Sequence, residues 1–250
     1  MELIEPTLNY SVMVESFLLR YRDAFGDAAP LPIAFGYGDN PATECRRIPR
    51  CMIGAIRRVC DEGALTLCAD NVLCGGGSLY TAFASMQERI PGFVSEVEHY
   101  KQTPGQVREY IRRLDIRPTE RPFLNFVRMD RLASLDGMEG VLFFATPDIL
   151  SGLCAWAFYD NDADDAVSTR FASGCCSIVT FAVGENRRQG RSCFIGLLDP
   201  SARLLVPADE LSFVIPMHRF REMERTMEHS ALFRKACSAV KRRINGEIGQ

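Results

Sequence analysis

Gly140-Val141-Leu142-Phe143-Phe144-Ala145-Thr146-Pro147-Asp148-Ile149-Leu150, running on to Tyr159 with Asp148 as its only charge, is the stretch that decides the fold. An apolar run of this length is a candidate membrane span until Thr146-Pro147-Asp148 is read. Threonine suits a helix N-cap, proline the first helical position and an acid the first turn. The run therefore divides into a buried strand, Val141–Ala145, and a buried helix, Pro147–Phe158, in a protein that does not cross a membrane. A strand passed directly to a helix is the unit of a layered α/β protein.

Outward from that unit the pattern repeats. Val14, Phe17, Leu18, Tyr21 and Phe25 recur at helical spacing and predict a first helix over 7–25, ended by Gly26. Leu31–Tyr37 predicts a strand, 49–61 a helix stopped near Gly63, and Ala64–Cys68 another strand. Ser78–Gln87 predicts a helix, as does Pro104–Leu114 with Thr103 as N-cap, and Phe123–Val127 a strand. Further on come a helix at Cys176–Val183, strands near Cys193–Leu198 and Leu211–Ile215, a helix from Pro216 to Met227, and a last one marked by Leu232, Ala236, Val240 and Ile244.

The expected class is α/β or α+β, a mixed sheet with flanking helices. The expected organisation is an N-terminal helix over 1–30, an α/β domain over 31–220 and C-terminal helices over 221–250, packed as one unit. Gly75–Thr81 echoes Gly174–Thr180, which predicts two pseudo-repeated halves facing a cleft.

A net charge of −3 gives no basic field for nucleic acid. The acidic loop Asn161–Asp165 lacks calcium-loop spacing and reads as solvated. The amino-terminal Met-Glu-Leu-Ile-Glu-Pro has no signal-peptide layout, so the ten cysteines point to a reducing, cytoplasmic setting rather than a disulfide framework. The three histidines lack metal-hydrolase spacing, and no nucleophile elbow, phosphate loop or dinucleotide fingerprint occurs.

What remains is where the cysteines fall. Cys74 precedes Gly75-Gly76-Gly77-Ser78, which places unhindered N–H groups beside a thiol at a helix start and favours thiolate or bound anion. A tight turn needing positive φ explains the same glycines equally well. Of Cys175-Cys176, one thiol is expected to face a site while the other packs; Cys193 opens a strand, and Cys51 or Cys45 supplies a further thiol. Asp199-Pro200-Ser201-Ala202-Arg203 reads either as a plain turn or as a turn whose arginine binds a carboxylate or phosphate.

The ordered set of Cys74-Gly75-Gly76-Gly77, Phe126–Leu132, Gly140–Asp148, Gly174-Cys175-Cys176-Ser177, Asp199–Arg203 and Glu210–Pro216 resembles domain-of-unknown-function family 169, the uncharacterised ArCR group, over roughly residues 30–220. The resemblance places Cys74, Cys176 (or Cys175), Arg203 and Pro216 at family positions, with Cys51 in the place of an earlier family cysteine. It implies cytoplasmic proteins with cysteine involvement and supplies no reaction.

Three functions follow as expectations. In the first, Cys74, Cys175 or Cys176, Cys193 and Cys51 hold an iron–sulfur cluster or another thiolate-bound metal, for redox or cofactor handling with a redox partner. In the second, a metal-free enzyme uses Cys74 as nucleophile while Arg203 orients a small acidic substrate. In the third, the protein binds a small molecule or cofactor without catalysis, admitted by Gly75, Gly76 and Gly77.

Overall fold

The structure, a computed structural model, describes residues 10–48 and 51–248. Seven strands form one mixed sheet in the order β2-β3-β1-β4-β7-β6-β5. They are β1 (Ile33–Gly38), β2 (Ala64–Leu67), β3 (Phe123–Arg128), β4 (Gly140–Ala145), β5 (Val167–Thr169), β6 (Cys193–Gly196) and β7 (Leu211–Pro216). Every pairing is antiparallel except that of β5 with β6. The protein is α/β in the sense the strand–helix alternation predicts.

The deciding stretch lies at the centre of the sheet. β4 is buried at all six positions because both of its faces are covered. Val141, Phe143 and Ala145 join one core and Leu142 and Phe144 the other, as the two-residue period of a strand requires. The first core is closed by α1 (Tyr10–Phe25), α6 (Pro147–Tyr159) and α9 (Met217–Thr226), whose Phe17, Trp156 and Phe220 pack together. Trp156 Nε1 donates to the Met223 carbonyl at 2.9 Å, so the indole is buried without an orphaned donor. The second core is closed by α2 (Met52–Glu62), through Ile53 and Ile56, and by the helix carrying Ile178, Val179 and Ala182.

The strand ends at Ala145 and the helix begins at Pro147, as read from the sequence, although the Thr146 side chain makes no capping bond. Among the described residues no helix is long and apolar enough to cross a membrane. Gly63 ends α2 at φ +92°, the left-handed conformation glycine supplies at little cost. Thr103 caps α5 (Pro104–Arg113) in a reciprocal box with Gln106.

Three expectations change. The helix expected over Ser78–Gln87 is instead α3 (Gly75–Tyr80), and the chain leaves it through Ala82 at φ +60°. None of Gly75, Gly76 and Gly77 has positive φ, so the triple glycine is the first turn of a helix and not a left-handed turn. α4 (Arg89–Gly92), which runs on as a π turn at Phe93–Val97, and the short β5 went unread, because neither carries a clear apolar period. The predicted residues 7–9 of α1 and 49–50 of α2 lie outside the described residues.

Candidate functional site

Three cysteines stand at helix starts on the second face of the sheet. Cys51 is the N-cap of α2, and no side chain caps that helix. Cys74 is the N-cap of α3, likewise uncapped, with the N–H groups of Gly75, Gly76 and Gly77 in its first turn. Cys175 lies in the first turn of the helix that opens at Gly174, passes through a π turn at Cys176–Thr180 and continues as α7 (Phe181–Arg188). The first N–H groups of a helix have no partner inside it and favour electron-rich atoms in front of them.

Cys51, Cys74 and Cys175 line one cavity of about 260 Å³. Gly76, Gly77 and Gly174 bring backbone to its wall, and Ile90, Val94 and Val107 make that wall apolar. Tyr80, Phe93, Tyr100, Tyr110 and Phe171 add aromatic rings, and Glu98, Lys101 and Asp199 add charge. One of the two π turns carries Phe93 and Val94, and the other follows Cys175 directly. A π turn inside a helix is rare and recurs at functional sites.

The close approach at Gly77 and Gly174 explains the glycines. A Cβ on Gly77 would stand 3.0 Å from Val72 Cγ1 and 3.4 Å from Met52 Sδ. One on Gly174 would stand 2.9 Å from Ile53 Cγ1 and 3.0 Å from Leu197 Cδ2. These glycines let the starts of α2, α3 and α7 converge. At Gly76 a Cβ would meet nothing closer than 3.8 Å.

The thiols differ in setting. Cys74 is exposed, Cys51 half-buried and Cys175 buried. Loss of water raises the Cys51 thiol above its ordinary value. Burial raises Cys175 further, against a contact from Ser173 Oγ at 3.4 Å.

Other predicted site residues fall elsewhere. Cys193 is fully buried in the core on the opposite face of the sheet, its sulfur 3.8 Å from Met223 Sδ, and cannot join the other thiols. The strand period decides this, since Phe194, the next residue, turns to the other side. Cys176 is buried off the cavity, 3.7 Å from the Tyr110 hydroxyl, and burial pushes its thiol up to about 12. Gly75 lies outside the lining, beside Gln87 and Arg89.

Arg203 does not face the cavity. Its guanidinium donates to the carbonyls of Ala208 at 2.7 Å, Pro207 at 3.3 Å and Glu210, which closes the loop before β7. Asp199 caps the single turn α8 (Pro200–Arg203), and here the cavity gains a carboxylate instead of an arginine. Glu98, Tyr100, Lys101, Phe93 and Phe171 were missed, and no local signal marks them. Among the described residues, no three His, Cys, Asp or Glu side chains form a group that could hold a metal ion.

The family model described as uncharacterised ArCR, domain-of-unknown-function family 169, matches residues 27–226. No curated protein and no solved structure matches the chain.

Proposed function

The chain belongs to the uncharacterised ArCR family, domain-of-unknown-function family 169, and from that premise we propose that it binds a small molecule in the cavity lined by Cys51, Cys74 and Cys175. The supporting observation is the cavity itself, about 260 Å³ with apolar and aromatic walls and thiols from three separate segments. That volume is just below the roughly 300–1,000 Å³ of drug-sized ligand sites and suits a smaller molecule; the walls of such sites are likewise apolar with a few placed polar groups. Cys74, the exposed thiol of the three, is the group on which an electrophilic ligand would meet a nucleophile. An acidic substrate held by Arg203 is no part of this reading, because Arg203 is engaged with backbone carbonyls.

Ser173 is half-buried on the cavity wall, so Ser173→Trp fills the space without cutting into a core. Ligand-observed NMR with a set of small aromatic probes, indole among them, should find saturable binding to the native chain that the variant loses. Absence of saturable binding across the set, or binding indifferent to the substitution, overturns the reading.

A second reading rests on a different observation, the placement of all three thiols at helix starts. An iron–sulfur cluster is larger than a single ion, carries electron-rich sulfur and is tuned by N–H groups directed at it. Cys51, Cys74 and Cys175, which form no group for a single ion, would supply three of its ligands, with redox or cofactor handling as its role. Anaerobic reconstitution with iron and sulfide should then give visible absorption that Cys74→Ser abolishes. Reconstituted protein with no such absorption and no bound iron excludes the cluster and leaves the small-molecule reading in place.

A further inference from the structure

We propose that the ligand of the thiol cavity carries a positively charged group, an ammonium or comparable organic cation, received by Glu98, Asp199 and the aromatic wall. This rests on the small-molecule reading above and goes beyond it by assigning the sign of the ligand's charge.

The charged side chains lining the cavity are Glu98, Asp199 and Lys101, two acids against one base. Among the described residues no hydrogen bond or ion pair reaches the Glu98 carboxylate. Loss of water and the negative charge of Asp199 act on it instead, and both raise its pKa. Asp199 is 5% exposed and accepts the Tyr100 hydroxyl, the Ser201 N–H and the Ser201 hydroxyl, each at 2.9 Å. All three donors are neutral, so its charge is solvated and not cancelled.

Lys101 does not cancel it either. Its ammonium pairs with neither acid and stands 5.7 Å from the centroid of the Tyr110 ring, one of the cavity walls. The chain thus already places one cation against this aromatic wall, as the negative face of a phenol ring favours. Tyr100 and Phe171 stand together at a centroid separation of 5.6 Å, so a further pair of rings lines the cavity, tied to Asp199 through the Tyr100 hydroxyl. An acidic ligand would find Lys101 as its sole charged partner in the lining and two carboxylates repelling it.

The experiment titrates the full chain with three probes of similar shape, benzyltrimethylammonium, benzyl alcohol and phenylacetate, by ligand-observed NMR. The cation should bind about tenfold tighter than the neutral probe, the scale expected of a partly desolvated cation among aromatic rings and acids. Glu98→Gln should weaken the cation about fivefold and leave benzyl alcohol unchanged. Lys101→Met, which removes the competing ammonium, should strengthen the cation. Both positions are exposed, so both variants are expected to fold. A general disturbance of the site would move the two variants in the same direction, and that outcome overturns the proposal. Preference for phenylacetate, enhanced by Glu98→Gln and lost in Lys101→Met, overturns it in favour of acidic ligands while sparing the small-molecule reading. Failure of all three probes to bind overturns both.

Discussion

At the scale of single residues, ten cysteines of one chemical type occupy different surroundings, and those surroundings set what each thiol can do. Cys74 is exposed, whereas Cys175, Cys176 and Cys193 are buried, with thiols raised by loss of water. A thiolate is the reacting form, so a raised pKa lowers the reactive fraction at neutral pH. Limited iodoacetamide treatment at pH 8, followed by peptide mass spectrometry, should find Cys74 alkylated well before Cys175, Cys176 and Cys193. Labelling of the half-buried Cys51 should increase as pH rises, because its thiol titrates above the ordinary value. Equal labelling of Cys74 and Cys175 would contradict the packing around Gly174. Glycines separate in the same way. A Cβ on Gly196 would stand 2.3 Å from Ser177 Oγ and 2.6 Å from Ser177 Cβ, so Gly196→Ala should cost about 1–3 kcal/mol in denaturant unfolding. Gly76→Ala, inside a helix, makes only ordinary van der Waals contacts, the nearest with Tyr80 at 3.8 Å, and should be neutral or stabilising by up to about 1 kcal/mol.

At the scale of elements, the cavity depends on how α2 is fastened to the far end of the chain. Arg57 of α2 pairs with Glu210, immediately before β7, through two bonds, with Arg57 Nη2 to Glu210 Oε1 at 2.8 Å. Glu210 also accepts Arg203 through its carbonyl, so one residue ties α2, α8 and β7 together. The pair is largely shielded from water, with side chains 18% and 9% exposed. Glu210→Ala leaves the Arg57 guanidinium only the longer contact to exposed Asp61, at 3.9 Å, and should cost about 2 kcal/mol in denaturant unfolding. A loss under about 0.5 kcal/mol, the level of an exposed pair, would show that the tie contributes little. Because Cys51 stands at the start of α2, the same variant should also weaken probe binding in the cavity.

At the scale of the whole molecule, the sheet divides two cores, and the division decides which cysteines meet. Cys51, Cys74 and Cys175 lie on the face covered by α2, α3 and α7, while Cys193 faces α9 across the sheet. Segments more than a hundred residues apart, at Cys51 and at Phe171–Cys175, reach one cavity because the helices that start there pack on the same face of the same sheet. The cavity is completed by α4, its π turn and α5, which lie over these helix starts and contribute Ile90, Phe93, Val94 and Val107.

Sequence alone determined what local chemistry controls. Thr146-Pro147-Asp148 set the passage from β4 to α6, Gly63 ended α2, Thr103 began α5, and the continuous apolar run at Val141–Ala145 marked a strand covered on both sides. It also singled out Cys74 and the pair Cys175-Cys176 beside their glycines, because a thiol near glycine at a helix start is a local pattern. Tertiary structure alone decided the rest. Whether Gly75-Gly76-Gly77 is a turn or a helix, which thiol of Cys175-Cys176 opens on a cavity, and whether Arg203 meets a ligand or backbone carbonyls each depend on partners remote in sequence. Cys193 shows the reason most plainly. The residue type and its place at a strand start were legible, but the face it takes follows from the register of β6 against β7, and a shift of one residue would turn it to the other side.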